Sequence, residues 1–300
     1  MNKKLMAIAG TVALGSLMLG ATAYAAVSGT SGYDLYKQAF KNTYAVNSIT
    51  PKTQVVVKDN GDLLFKVDAA TKLNKENETM SNIVTVASGD QQKTFDIIKQ
   101  NDQTIFKTSD SNVYDVSQAD RWKRPNQEKR KEDDPSRIRD IENVVDALAG
   151  NIQNYITSTE NPDGTKDVSL ALTDNQVSPV VNAAASLAVK NIGSERGFGG
   201  HAEGFDSAFV SSLQDKLPKL VDNIRVSHVD VDAVITKDNL IKSQVENLTI
   251  TGTDANGKTH EIAISVDTGF SGYNSTTPDT IDLTGKQVKT VTRGGEHREE

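Results

Sequence analysis

His228, Asp230 and Asp232 stand at every second position of RVSHVDVDAVI. An extended chain turns successive side chains to opposite faces, so one imidazole and two carboxylates share a face of this segment. Imidazole and carboxylate oxygens together could hold a divalent cation. Ser227, Val229, Val231, Ala233 and Ile235 fall on the other side and mark it as the face toward a core. A solvated strand face accounts for the same three polar residues without a metal, and no fourth ligand stands close by. His201 lies in a glycine-rich loop, His260 beside a hairpin turn and His297 in the C-terminal tail, each without an evident partner at short spacing. No metal or other cofactor is expected.

Other chemistries are tested in the same way. In LTITGTDANGKTHEIAISV, a calcium loop with Gly257 at its sixth position would need side-chain oxygens at Gly252 and Ala263, which have none. Gly61 and Gly164 fail likewise, because they put Lys72 and Leu170 at the twelfth position. These are hairpin turns, in which Asn-Gly or Asp-Gly supplies the backbone conformation that a tight reversal needs. GFGGHAEG follows a helical pattern and lacks the Gly-Lys-Ser/Thr ending of a phosphate loop. There is no G-x-S-x-G and no H-E-x-x-H, and the absence of cysteine removes disulfides and thiolate chemistry. An enzyme is not expected. A hydrolase of envelope polymers remains as an alternative, because carboxylates paired across a cleft leave no sequence signature.

Arg121, Trp122, Lys123 and Arg124 place the single tryptophan among three cations. Such a group could touch a polyanion or a membrane interface. Glu128, Glu132, Asp133 and Asp134 follow and partly cancel the field, so a solvated linker is the simpler reading.

These residues must be placed on elements, and the chain's leader comes first. MNKKLMAIAGTVALGSLMLGATAYA has two lysines, an apolar run and Ala23-Tyr24-Ala25 in the order of a secretory signal, predicting cleavage after Ala25. The alternative is a retained membrane anchor, for which the run is short. No later run is long and apolar enough to span a bilayer. The protein is therefore expected to be secreted or extracytoplasmic. Removing Lys3 and Lys4 with the leader takes the net charge from −7 to −9. That acidity argues against nucleic acid as a partner.

The pattern then predicts a short flexible lead (26–31), a single domain over 32–291 and a charged tail (292–300). GYDLYKQAFKNTYAV reads as a helix, with Tyr33, Tyr36, Phe40 and Thr43 at helical spacing. Alternating segments follow: QVVV, LLFKVDAATKL, MSNIVTVAS, KTFDIIKQ, QTIFKTS and VYDVS. Residues 118–134 are dense in charge and nearly free of apolar residues, predicting a mobile insertion. An apolar stripe at Ile138, Ile141, Val145, Leu148 and Ile152 predicts a helix. After the strand DVSLAL, Ser178 and Pro179 suit the start of another helix, with Val180, Val181, Ala184, Leu187 and Ala188 on its apolar face. FDSAFVSSLQDKL predicts a further helix with Phe209, Leu213 and Leu217 aligned. IRVSHVDVDAVI, SQVENLTITGT and THEIAISVDTGF predict three long closing strands. The class is α+β: a curved antiparallel sheet, an incomplete barrel, with helices covering one face.

This order resembles the LolA/LppX-like group of exported carrier proteins. GYDLYKQAFKNTYAVNSIT is similar to the group's opening helix and first turn, and the strands ending in THEIAISVDTGF are similar to its closing ones. In style the chain also resembles exported proteins of Bacillota. It departs from the lipoprotein members in having no lipobox cysteine, and from the group in its charged insertion. The resemblance implies a groove between sheet and helices that binds a lipid or another apolar envelope component. The groove would be lined by the helix bearing Val180, Val181, Ala184, Leu187 and Ala188. The alternative is an extracytoplasmic interaction or sensor module with a solid core.

Overall fold

The computed structural model describes residues 31–118, 155–179 and 207–290, together with residues 152, 181–183 and 186. The predicted opening helix is α1, Gly32–Ala45. Ser31 caps it: its Oγ accepts from the Asp34 N–H at 3.1 Å and donates to the Asp34 carboxylate at 2.7 Å. Asp34 also sits where a negative charge complements the helix dipole. Tyr33, Tyr36 and Thr43 of the predicted stripe are buried, with Leu35 and Ala39 beside them, while Phe40 is only partly buried against the core.

Six strands follow: β1 (Ser48–Asp59), β2 (Asp62–Asn74), β3 (Thr79–Ser88), β4 (Gln91–Gln100), β5 (Gln103–Thr108) and β6 (Val113–Gln118). Each pairs antiparallel with the next. Gln118 belongs to β6, opposite Gln103, rather than to an insertion; the rest of 118–134 lies outside the described residues. β7 (Ile156–Glu160) and β8 (Lys166–Thr173) form a hairpin whose Gly164 has φ +80°. Helix α2, Ser207–Lys216, is the predicted FDSAFVSSLQDKL element. Three long strands come next: β9 (Leu220–Ile235), β10 (Ile241–Asp254) and β11 (Thr259–Ser271). A last strand, β12 (Gln287–Thr290), ends the described chain.

All twelve strands form one sheet in the order β12-β6-β5-β4-β3-β2-β1-β11-β10-β9-β8-β7. Its two ends are β12 and β7, so the sheet is open. It is two antiparallel meanders joined where β1 pairs with β11. The all-antiparallel expectation fails at one edge, because β12 pairs parallel to β6. The reason is the return path. Residues 272–286 cross back over the first meander, and a strand laid down from that direction enters the sheet alongside β6.

That return segment is fastened to β1, β2, β3 and β4 in turn. Asn274 N–H donates to Ser48 O at 2.8 Å and Thr276 N–H to Ser48 Oγ at 3.0 Å. Asp279 N–H donates to Ser81 Oγ at 2.9 Å, and Lys72 meets the Asp279 carboxylate at 2.6 Å. Gln100 accepts from Ile281 N–H and donates to Ile281 O, each at 2.8 Å.

Cross-strand partners share a face, so the register defines a continuous inner face. It runs from Ile97 and Phe95 through Val84, Val86, Val67, Val55 and Val266, and on to Ile250, Val229, Val231, Leu170 and Ile156. All of these are buried, and all but Ile97 belong to one core cluster. Helix α1 packs against β7, β8, β9 and β10, and α2 against β2. Phe209 of α2 lies 6.3 Å from Phe95, which stacks on Phe106 at 6.0 Å.

Candidate functional site on the inner face

The inner face is largely apolar, and near its middle it carries a connected set of polar side chains. On β10, period-2 alternation carried back from Ile250 and Leu248 places Glu246 and Gln244 on the same side. Glu246 lies between Val266 of β11 and Val231 of β9, and Gln244 between Thr268 and Ala233. Helix α1 brings Tyr36 onto them. The fully buried Tyr36 hydroxyl donates to Gln244 Oε1 at 2.5 Å, and the Gln244 amide donates in turn to Glu246 Oε1.

Every link therefore points the same way, from phenol to amide to carboxyl. Glu246 is 7% exposed, and burial raises its carboxyl from 4.5 to about 7, a shift the Gln244 hydrogen bond opposes. Burial, and then the Glu246 charge, push the Tyr36 phenol far above its ordinary range, so it stays a donor. Among the described residues no hydrogen bond reaches Glu246 Oε2. The signal was present in SQVENLTITGT: extending the alternation of its apolar residues by four positions puts an acid and an amide in the core.

A second polar group sits at the turn end of the same face. His260 of β11 is 5% exposed. Its Nδ1 is 2.8 Å from Asp59 Oδ2 on β1, and its Nε2 is 3.6 Å from Asp254 Oδ2 in the β10–β11 turn. Asp254 Oδ1 accepts from the backbone of Asn256 and Lys258, each at 2.9 Å, so the D-A-N-G turn is closed by its own aspartate. These backbone donors, with lesser help from His260, hold the Asp254 carboxyl below the usual range. Sequence spacing hid this group because β1 and β11 meet only in the folded sheet.

His228, Asp230 and Asp232 do share the outer face of β9, as predicted. His228 Nε2 pairs with Asp230 Oδ2, while Asp232 accepts from Ser169 of β8 at 2.6 Å. The third carboxylate is thus turned toward β8. Among the described residues no three His, Asp or Glu side chains converge as a metal site. One detail of the predicted core side is corrected. The register steps between His228 opposite Thr249 and Val226 opposite Ile250, so Ser227 is the extra residue of a bulge and Val226 takes the core position.

Val181, of the predicted groove helix, is buried in the core cluster. Ser178 Oγ accepts from Val181 N–H at 3.3 Å, as a helix cap would. Val180, Ala184, Leu187 and Ala188 lie outside the residues whose side chains are described, as do Arg121, Trp122, Lys123 and Arg124. On the outer face, a pocket of about 120 Å³ lies beside the return segment, lined by Ile83, Ile98 and Ile105 of the sheet and Ile281 of that segment, with Lys107 and Tyr114. It is smaller than the ~300–1,000 Å³ usual for drug-sized ligands. No described helix is long and apolar enough to cross a membrane.

The sequence matches no family profile and no curated protein. Among solved structures, similarity is found to a DUF1329 family protein from Desulfovibrio piger (10% identity over 84% of this chain and 94% of that one, TM-score 0.23). A beta-barrel-like DUF1849 protein from Brucella abortus is similar at 9% identity over 75% of this chain and 98% of its own, TM-score 0.17. A bifunctional dehydratase-cyclase domain in ambruticin biosynthesis is similar at 10% identity over 87% and 89%, TM-score 0.14. These scores fall far short of those of chains sharing a fold.

Proposed function

We propose that this is an exported, non-enzymatic cell-envelope protein that binds a lipid or other apolar ligand between the inner face of its sheet and the helices laid over it. The observation that carries the reading is Glu246. Burying an ionisable carboxyl among valines costs stability, and an apolar residue of similar volume commonly serves a core as well or better. A buried acid with one hydrogen bond, flanked by Val231 and Val266, has the composition of a ligand site: a greasy wall with a few convergent polar groups. The basic leader and its Ala-Tyr-Ala site support export, and the absence of a G-x-S-x-G or H-E-x-x-H pattern supports a binding role.

Mass spectrometry of protein purified from its native host, under non-denaturing conditions, tests the reading. A copurifying apolar molecule is expected. A ligand-free protein that also shows no saturable binding of the neutral apolar dye N-phenyl-1-naphthylamine would overturn it. The second reading, an interaction module, draws on the outer pocket, where Ile83 is 48% exposed.

A further inference from the structure

We infer that the ligand carries a cationic, N–H-donating head, of the alkyl ammonium class, received by the free oxygen of Glu246. The inference rests on the carrier reading above and concerns which apolar molecule is taken.

The direction of the hydrogen bonds carries it. Tyr36 spends its only proton on Gln244, and Gln244 spends an amide N–H on Glu246. With Glu246 ionised, the chain therefore ends on a carboxylate oxygen that accepts and cannot donate. A ligand carboxylate or phosphate arriving there would meet an acceptor already short of donors. A ligand ammonium would supply what Oε2 lacks. Its charge would also compensate the ionised carboxyl, which no basic side chain pairs among the described residues. Charge-assisted hydrogen bonds of this kind are the strong ones, and more so where water is excluded.

The neighbours set the rest of the ligand. Val231 and Val266 flank Glu246 directly, with Val229 and Ile264 one pair further along the same face. Val231, Val266 and Val229 are buried, so an apolar body would lie along that row by displacing the side chains that now cover it while the head meets the carboxyl. The protonation state of Glu246 then governs binding. Near pH 8 the carboxylate attracts an ammonium, and at pH 5.5 the neutral acid offers no charge to it.

The test uses the full mature protein and displacement of N-phenyl-1-naphthylamine by decylamine or decanoate. At pH 8 decylamine should displace the dye at about a tenfold lower concentration than decanoate, the scale of one charge-assisted hydrogen bond. The preference should vanish at pH 5.5 in the wild type, and at both pH values in Glu246→Gln. The wild-type pH series stands even where the variant fails to fold. Equal displacement by the two at pH 8, or a preference that survives in a folded Glu246→Gln protein, overturns the inference and leaves the carrier reading standing. Absence of saturable dye binding to the wild type overturns both.

Discussion

Val55 of β1 lies directly opposite Val266 of β11, at the pairing that joins the two meanders. Both are buried. They come from near opposite ends of the described chain, so the centre of the sheet is its least local contact. Truncating either to alanine should cost about 1.5–3 kcal/mol of unfolding free energy in urea denaturation. Because the two share a packing site, the double variant should depart from additivity by at least about 0.5 kcal/mol. Strict additivity would show that the seam is not packed as described.

Gly272 should be intolerant of any side chain. Its φ is +65°, and an added Cβ would stand 2.3 Å from Thr276 Oγ1 and 3.3 Å from Thr50 Oγ1. Those two hydroxyls share a hydrogen bond of 2.8 Å that starts the return segment. Gly257 has a similar φ, +77°, with nothing near its Cβ position. Gly257→Ala should therefore cost only the left-handed backbone penalty, about 1–2 kcal/mol. Gly272→Ala should lose clearly more. Equal losses in the two variants would mean that the Thr50–Thr276 contact contributes nothing.

Glu246 gives stability a sign with pH. Its folded value, about 7, exceeds its ordinary 4.5, so the folded state holds this proton more tightly than the unfolded one. The contribution is complete below pH 4.5 and is lost as pH rises through 7, on the order of 3 kcal/mol in all. Asp110 runs the other way. Its hydrogen bonds, first from Lys93, lower it to about 2, and its contribution is lost only as pH falls toward that value. The difference between wild type and Glu246→Gln isolates the first effect. Across pH 4.5–7.5 the variant should gain on the wild type as pH rises; a constant difference would refute the burial of Glu246.

Processing is testable at the N-terminus. The secreted chain should begin at Ala26, read by N-terminal sequencing or intact mass of protein from the culture medium. A secreted form retaining Met1 or Asn2 would contradict cleavage after Ala25.

Much of the architecture was written locally. Tyr33 and Tyr36 at helical spacing, the Asn60-Gly61 and Asn256-Gly257 reversals, and the alternation of β9 to β11, interrupted in β9 at Ser227, each act within a few residues, where sequence pattern is decisive. The same holds for the shared face of His228, Asp230 and Asp232, since strand geometry alone sets it. Tertiary structure decided what local pattern could not carry. The β1–β11 seam, the parallel entry of β12 and the fastening of residues 272–286 depend on which distant backbone edges find one another. His260 found Asp59 only because the seam aligned their strands. Tyr36, Gln244 and Glu246 became a connected chain only when α1 crossed β10. Hydrogen bonding between distant elements has no period along a sequence, so the residues of the candidate site were individually legible while their meeting was not.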